Sequence, residues 1–399
     1  MQDEFMLGIN YWPARKAMYW WKEWDAGQVE DDFARISESG IDKVRFFLLW
    51  EDFQPEPFKM SSQALRNLAK TLDIAYKYRL GTMPTFFTGH MSGLNWMPEW
   101  MLGAETEKSR FMVYSKGRTT QREIKNFFEN MDAARAQAYH LTEIAKVLQG
   151  QPALWGWDLG NEPSNCVIPE SKEAALHWLE SMVGALKKID EAIPVTIGMH
   201  MEDLEEDRNI GSSEAAKYCD FICMHGYPIY TRWADGPTDN KLLPFLASIT
   251  GWLGKKPVLF QEFGLPTLRT QDSGLRTKHM MLVSEQEAAE YYSEVLKGLY
   301  NIGCIGAFAW CYSDYDPQIW NLPPLNTVVH ERYFGLWKHD GHKKEALRSI
   351  GSFRKSNVKP MNYSPPWIDI RPEDFYTDPL GNLKKLYRKS KNYNELAVQ

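Results

Sequence analysis

Residues 153–163 read ALWGWDLGNEP, an apolar run that ends in an amide, a carboxylate and a proline. A run of this length closed by Gly and Pro predicts a buried strand that stops at Asn161 and Glu162. A carboxylate at the end of a buried strand is costly unless it has chemistry to perform. The rest of the chain is read by asking what Glu162 is for.

Similar segments recur on both sides. Strands are predicted over 5–11, 41–50, 80–88, 193–199, 220–225, 257–262 and 305–310. Helical spacing appears over 28–39, from Ser61 through Ala75, and over 126–148, 171–189 and 285–299. Eight alternations of strand and helix imply parallel βαβ units. They predict an α/β fold of the closed (β/α)8 TIM-barrel type, one domain with long βα loops. An open doubly wound sheet would carry a glycine-rich phosphate loop after its first strand, and GINYWP at 8–13 is no such loop. Residues 91–125 read as long and irregular. The barrel is expected over 1–355, and the Pro-rich segment 356–399 as a C-terminal extension packed on it.

Of the 399 residues, 44% are hydrophobic and 25% charged, a globular balance. The net charge is -6 with no basic cluster, so nucleic acid is not an expected partner. No apolar stretch is long enough for a membrane span. The start MQDEFMLGINYW lacks the basic flank and apolar core of a leader, so a cytoplasmic location is expected. The five cysteines, Cys166, Cys219, Cys223, Cys304 and Cys311, fall mostly in apolar runs and read as reduced core residues. Cys219, Cys223 and His225 lack zinc-site spacing, so neither metal nor cofactor is expected. The 16 Trp are many, and several lie in polar, turn-rich stretches where a flat ring face suits a sugar.

In a barrel of this kind, reactive groups project from the C-terminal strand ends. Those positions carry Asn10, Arg45, His90, Asn161, Glu162, His225, Tyr227, Glu262 and Trp310. Glu162 and Glu262 end the fourth and seventh strands, on opposite sides of one mouth. Two facing carboxylates are the minimum apparatus of glycoside hydrolysis. One must donate a proton while the other attacks as an anion, and each charge raises the pKa of its neighbour. Glu162 is expected neutral and Glu262 charged. Arg45 would hold Glu262 ionised and Tyr227 would donate to it. Asn161 suits a sugar 2-hydroxyl, and Trp310 a ring face.

The ordered set VRFFLLW (44–50), WDLGNEP (157–163), MHGYP (224–228), FQEFG (260–264) and AFAW (307–310) resembles glycoside hydrolase family 5. That family belongs to the clan of retaining (β/α)8 barrels, and ERYFGLWKHDG (331–341) resembles its final hairpin. The resemblance implies Glu162 as acid/base and Glu262 as nucleophile. It also implies Arg45, His90, Asn161, His225, Tyr227 and Trp310 around the sugar. Trp96 joins the substrate-binding set, although Trp96 and Trp100 read equally as packing in their loop. Asp158, Asp314 and Glu331 receive no role.

PTFFTGHMSGLNW (84–96) looks like the β-mannosidase-like subset of the family. Long loops at 91–125, 267–284 and 312–330 would wall off one end of the cleft. The expected activity is therefore an exo-acting β-mannosidase on β-manno-oligosaccharides. An endo-β-1,4-mannanase or a β-glucosidase or cellulase-type enzyme is the nearest alternative. A sugar-binding or transglycosylating barrel is the alternative of another class. The sequence carries no signal for an oligomeric state.

Overall fold

The computed structural model describes residues 4–107, 109–268, 282–353 and 356–396. Its core is eight parallel strands. They are β1 (Met6–Tyr11), β2 (Lys43–Phe47), β3 (Gly81–Phe87), β4 (Trp157–Asn161), β5 (Val195–Gly198), β6 (Ile222–His225), β7 (Val258–Phe263) and β8 (Gly306–Ala309). They pair in the order β5-β4-β3-β2-β1-β8-β7-β6. The ring closes through a parallel bridge of His200 with His225, where the His225 N–H donates to the Met199 carbonyl at 2.8 Å. The fold is the expected (β/α)8 barrel.

The observed strands lie inside the predicted ones, except that β7 runs one residue further, to Phe263. The reading of 41–50 as one strand overran, because the chain turns after Phe47 into a one-turn helix, Trp50–Phe53, whose first residue is fully buried. The outer helices begin where the sequence offers caps. Asp25, Ser61, Asn130 and Ser171 each accept from a backbone N–H of the first turn, and Ser284 with Glu287 forms a capping box. The helix Leu242–Gly254 has no counterpart in the sequence reading. It is apolar nearly all round and shows no polar face against which a 3.6-residue period stands out.

Residues 91–125 are not irregular. Short strands at His90–Met91, Leu94–Trp96, Met112–Ser115 and Arg118–Thr120 form one small sheet, and Leu102–Glu105 pairs with Arg122–Ile124. Lys116 and Gly117 both have positive φ, as a two-residue hairpin turn of this twist requires. The predicted wall at 267–284 lies mostly outside the described residues. After Ser356 the chain first pairs Asn357 with Glu4. It ends in the helix Pro379–Leu396, whose Tyr387 ring packs on Phe245 and Trp233. Among the described residues, no helix is long and apolar enough to cross a membrane.

Inside the barrel the layers change character along the axis. Met6, Met83, Cys223, Leu259 and Phe308 form an apolar floor. Above them lies a polar layer centred on Arg45, and above that the mouth. Gly198 on β5 makes room for this layer. A Cβ there would meet the Gly160 carbonyl at 2.9 Å, the His225 ring at 3.0 Å and Arg45 Nη2 at 3.1 Å.

Candidate active site

Strand pairing is regular at the floor and breaks near the mouth. The register shifts between Asp158 and Asn161 on β4, between Met224 and His225 on β6, and between Phe260 and Phe263 on β7. Such bulges re-aim side chains. Here they let the adjacent residues Gln261 and Glu262 both reach polar partners, Gln261 bonding His225 on the neighbouring β6 and Glu262 bonding Arg45 across the barrel.

Arg45 is wholly buried, and its N–H groups are all engaged. Nε donates to Thr85 Oγ1 at 3.0 Å and to Asp158 Oδ2 at 2.9 Å. Nη1 donates to Asn10 Oδ1 at 3.0 Å and to Glu262 Oε1. Nη2 donates to Asp158 Oδ2 at 2.7 Å and to Asn161 Oδ1 at 2.8 Å. Burial would lower the guanidinium pKa, but Asp158 and Glu262 outweigh it and raise the value, so the group stays charged. Asp158, left without a role by the sequence, is its counter-ion. Arg45 does not line the cavity. The expectation that it binds sugar is corrected: it lies beneath the site and holds Glu262 from below.

The second oxygen of Glu262 accepts from the Tyr227 hydroxyl at 2.9 Å. Glu162 follows β4 in a left-handed conformation, φ 48° and ψ 54°, immediately before Pro163. That region is unfavourable for a residue with a side chain and is found at sites held by their surroundings. Here the Glu162 N–H donates to the Gly198 carbonyl at 3.0 Å, and its carbonyl accepts from the Asn165 N–H at 3.0 Å. The Glu162 side chain then reaches His225 Nδ1 at 2.9 Å and accepts from Asn165 Nδ2 at 3.1 Å. One oxygen of Glu162 and one of Glu262 lie within 4.8 Å of each other and of a His225 nitrogen.

The expected neutral Glu162 is corrected. Burial pushes its carboxyl up, but the His200 imidazole and the His225 hydrogen bond outweigh this and hold it below the usual carboxylate range. His225 moves the other way. Burial lowers it, yet Glu262 and Glu162 together raise it above its ordinary value. The two shifts run in opposite directions along one hydrogen bond and favour an ionised Glu162 beside a protonated His225. Gln261 Oε1, 2.9 Å from His225 Nε2, is placed to accept the other ring N–H.

The cavity above these groups has a volume of about 340 Å³. His90, Asn161, Glu162, His225, Tyr227, Glu262 and Trp310 all line it, as the sequence placed them. His90 Nδ1 is 2.9 Å from Asn95 Oδ1, and burial lowers its pKa, which leaves Nε2 of a neutral ring as an acceptor. Asn161 Nδ2 donates to the His90 carbonyl at 2.7 Å and keeps its second N–H for a ligand.

Trp96 does not reach the cavity. It is buried against Tyr114 and Tyr19, and its indole N–H donates to the Met91 carbonyl at 3.3 Å. Trp100 likewise packs edge-on to Trp50. Of the tryptophans among the described residues, Trp310 alone lines this cavity, and Trp12, Trp20, Trp50, Trp157, Trp178 and Trp337 are buried in the core.

The sequence missed Arg110, His200, Glu202, Tyr230, His330 and Glu331, which also line the cavity. They stand on loops, where no periodicity marks them. Ser92 after β3 bonds Glu331 after β8 at 3.0 Å, and Tyr230 after β6 bonds His330 at 2.7 Å. Three loops are thereby tied together at one end of the cavity. At the other end Arg110 and Arg208 both pair with Glu202. Glu162, His225 and Glu262 are the one set of possible metal donors among the described residues. The Arg45 guanidinium already occupies the cation position against Glu262, so this donor set does not fit a metal.

The fold is that of the (β/α)8 glycoside hydrolases. The family model of glycoside hydrolase 42, described as beta-galactosidase, matches residues 18–206, under half of the chain. Two curated proteins are similar over part of the chain. A mannan endo-1,4-beta-mannosidase 5 of Arabidopsis thaliana is 27% identical over 36% of this chain, and a beta-glucuronidase of Mus musculus is 23% identical over 48%. The matches span 37% and 27% of those proteins' own lengths. Among solved structures, GH5_18 from Streptomyces cattleya in complex with Manβ1-4GlcNAc superposes with a TM-score of 0.72 at 21% identity, covering 89% of this chain and 83% of that one. An exo-beta-1,4-mannosidase from Opitutaceae bacterium strain TAV5 gives 0.72 at 24% identity, covering 88% and 59%. The resemblance to family 5 is met at the level of the fold.

Proposed function

We propose that this chain is a retaining β-glycosidase that removes terminal sugars, with short β-manno-oligosaccharides as substrates. The observation that carries this is the approach of Glu162 and Glu262 to within 4.8 Å. Retaining enzymes hold their carboxyls about 5–5.5 Å apart, whereas inverting ones leave about 6.5–9.5 Å for a water. On this reading Glu262 attacks the anomeric carbon while the glycosidic oxygen takes a proton from Glu162. Glu162 first receives that proton from His225 Nδ1 along their 2.9 Å hydrogen bond, and so is again a carboxylate once the glycosidic oxygen is protonated. Water then adds to the glycosyl ester with Glu162 as base, and Glu262 leaves as a carboxylate.

The tied loops close the cavity on the Glu262 side, and the volume is at the small end of ligand pockets. Both favour removal of single end sugars over cutting within a polymer. The choice of mannose rests on the segment 84–96 and on the exo-β-1,4-mannosidase among the structural neighbours. The galactosidase and glucuronidase names make the sugar the point to test.

The deciding experiment is a panel of aryl β-mannoside, β-glucoside and β-galactoside, followed by mannotriose with product sizing. The β-mannoside should be cleaved fastest, with the β anomer released first and mannose lost only from the chain end. Mixed oligomers would refute exo action, and a first-formed α anomer would refute retention.

The protonation pattern adds a second expectation. The reaction needs one proton on the Glu162–His225 pair. Because that proton rests on a His whose pKa is raised, kcat should fall as pH climbs through a value above about 6.5. An alkaline limb of kcat below that value would contradict the assignment of the proton to His225.

A further inference from the structure

Glu331 is a buried carboxylate that the chemistry above does not use. It stands in the single turn Val329–Tyr333 after β8 and lines the closed end of the cavity beside Glu262. Only 6% of it is exposed. Its close partners are neutral. Ser92 Oγ donates to Oε2 at 3.0 Å, the Tyr230 hydroxyl lies 3.3 Å from Oε1, and the Trp310 indole also bonds it. The nearest basic atom, His330 Nε2, is 3.8 Å away, and burial lowers that imidazole to about 4, so it is uncharged near neutrality.

A buried acid without a cation destabilises the fold unless something else calls for it. Burial, aided by the charge of Glu262, pushes Glu331 up to about 7 against the pull of its three donors. The other groups around it do not supply the missing charge. Tyr227, Cys311 and Tyr315 all interact with it, and burial raises each of them, so they stay neutral. Glu162 stands across the cavity, and its charge, like that of Glu331, raises Tyr227 and Tyr230. A carboxylate offers about four lone-pair sites, and three donors leave room for a ligand.

We propose that Glu331 seats the terminal sugar by accepting hydrogen bonds from its hydroxyls at the closed end of the cavity, and so determines which glycoside fits. The inference rests on the glycosidase reading above and adds a specificity-determining residue to it. Glu331 is ionised above about pH 7, and only that form is a pure acceptor. KM for a fitting glycoside should therefore fall as pH rises through that value.

The test uses Glu331→Gln, Glu331→Ala and Ser92→Ala with p-nitrophenyl β-D-mannopyranoside and its 3-, 4- and 6-deoxy analogues. Glu331→Gln should raise KM at pH 8 by about tenfold or more with a smaller change in kcat, and should abolish the pH dependence of KM. At least one deoxy analogue should lose about tenfold in kcat/KM with the native protein and lose nothing further with Glu331→Ala. Folded Glu331 binds its proton more tightly than the unfolded chain, so native stability falls between about pH 4.5 and 7. The melting temperature of Glu331→Gln at pH 8 should thus equal or exceed the native one.

A structural anchor gives the opposite pattern: a lower melting temperature, unchanged KM and deoxy penalties that persist in Glu331→Ala. That pattern overturns the inference. If the alanine variant does not fold, Ser92→Ala, which frees one lone pair, still shifts the pH at which KM changes if Glu331 binds sugar and leaves it unmoved otherwise. A native protein that cleaves no member of the aryl panel defeats the glycosidase reading instead. Calorimetric binding of mannose to native protein and Glu331→Gln then decides the role of Glu331 alone.

Discussion

Glu262→Gln is expected to lower turnover of an aryl β-mannoside by at least about a thousandfold while the protein stays folded. The glutamine fills the same space, its oxygen still accepts from Arg45, and its amide N–H can donate to the Tyr227 hydroxyl in place of the bond that the second carboxylate oxygen accepted. It cannot attack the anomeric carbon, so the loss falls on the covalent step and not on binding. KM should change little, because Glu262 contributes charge at the reacting carbon more than contact with the sugar's hydroxyls.

The companion variants separate nucleophile from acid. With Glu262→Gly, azide can enter from the nucleophile's side and give only the inverted α-glycosyl azide. With Glu162→Gly, azide can attack the glycosyl-enzyme and give the β product with the configuration retained. Product NMR reads both. A Glu262→Gln protein that keeps a tenth of native turnover would end the assignment, as would retained product from Glu262→Gly with azide.

What the sequence made legible follows from where each residue stands. Glu162, Glu262, His225 and Asn161 end strands whose apolar runs announce themselves, so their arrival at one mouth follows from the barrel geometry. Tyr227 and Trp310 lie within two residues of such ends and share that legibility. Arg45 was visible as a charge inside a buried strand, but its depth was not. Only the observed layers place it below the cavity, with Asp158 as its second counter-ion.

Trp96 shows the opposite failure. Its loop looked irregular, and a tryptophan in an irregular loop suggests an exposed platform. The loop folds instead into hairpins with their own small core, which takes the ring. Glu331 and Tyr230 could not be found from pattern at all. They meet Ser92 and His330 through contacts between loops a hundred or more residues apart. The proton's location was also beyond the sequence, because it depends on His200 and His225 standing closer to Glu162 than any spacing rule states.

Arg45→Met should be the most destabilising single change in the barrel interior. The methionine roughly matches the volume of the side-chain stem but leaves two buried carboxylates, Asp158 and Glu262, without their cation. Removing one member of a buried ionic cluster costs about 3–5 kcal/mol, since the remaining charges keep their desolvation penalty. For a chain of 399 residues that is a fall in melting temperature on the order of 4–6 °C. Arg45→Lys should recover only part of it, because an ammonium has three donors where the guanidinium uses its whole fork on Thr85, Asn10, Asp158, Asn161 and Glu262. Adding Asp158→Asn to Arg45→Met removes one uncompensated charge and should raise the melting temperature above that of Arg45→Met alone. Acidification, which protonates the orphaned carboxylates, should likewise narrow the gap to the native protein. A melting temperature for Arg45→Met within a degree of native, or a double variant less stable than the single, would mean that Arg45 is not the cation on which this layer depends. The first result would also remove the support from beneath Glu262, because the same guanidinium that neutralises the layer positions the attacking carboxylate.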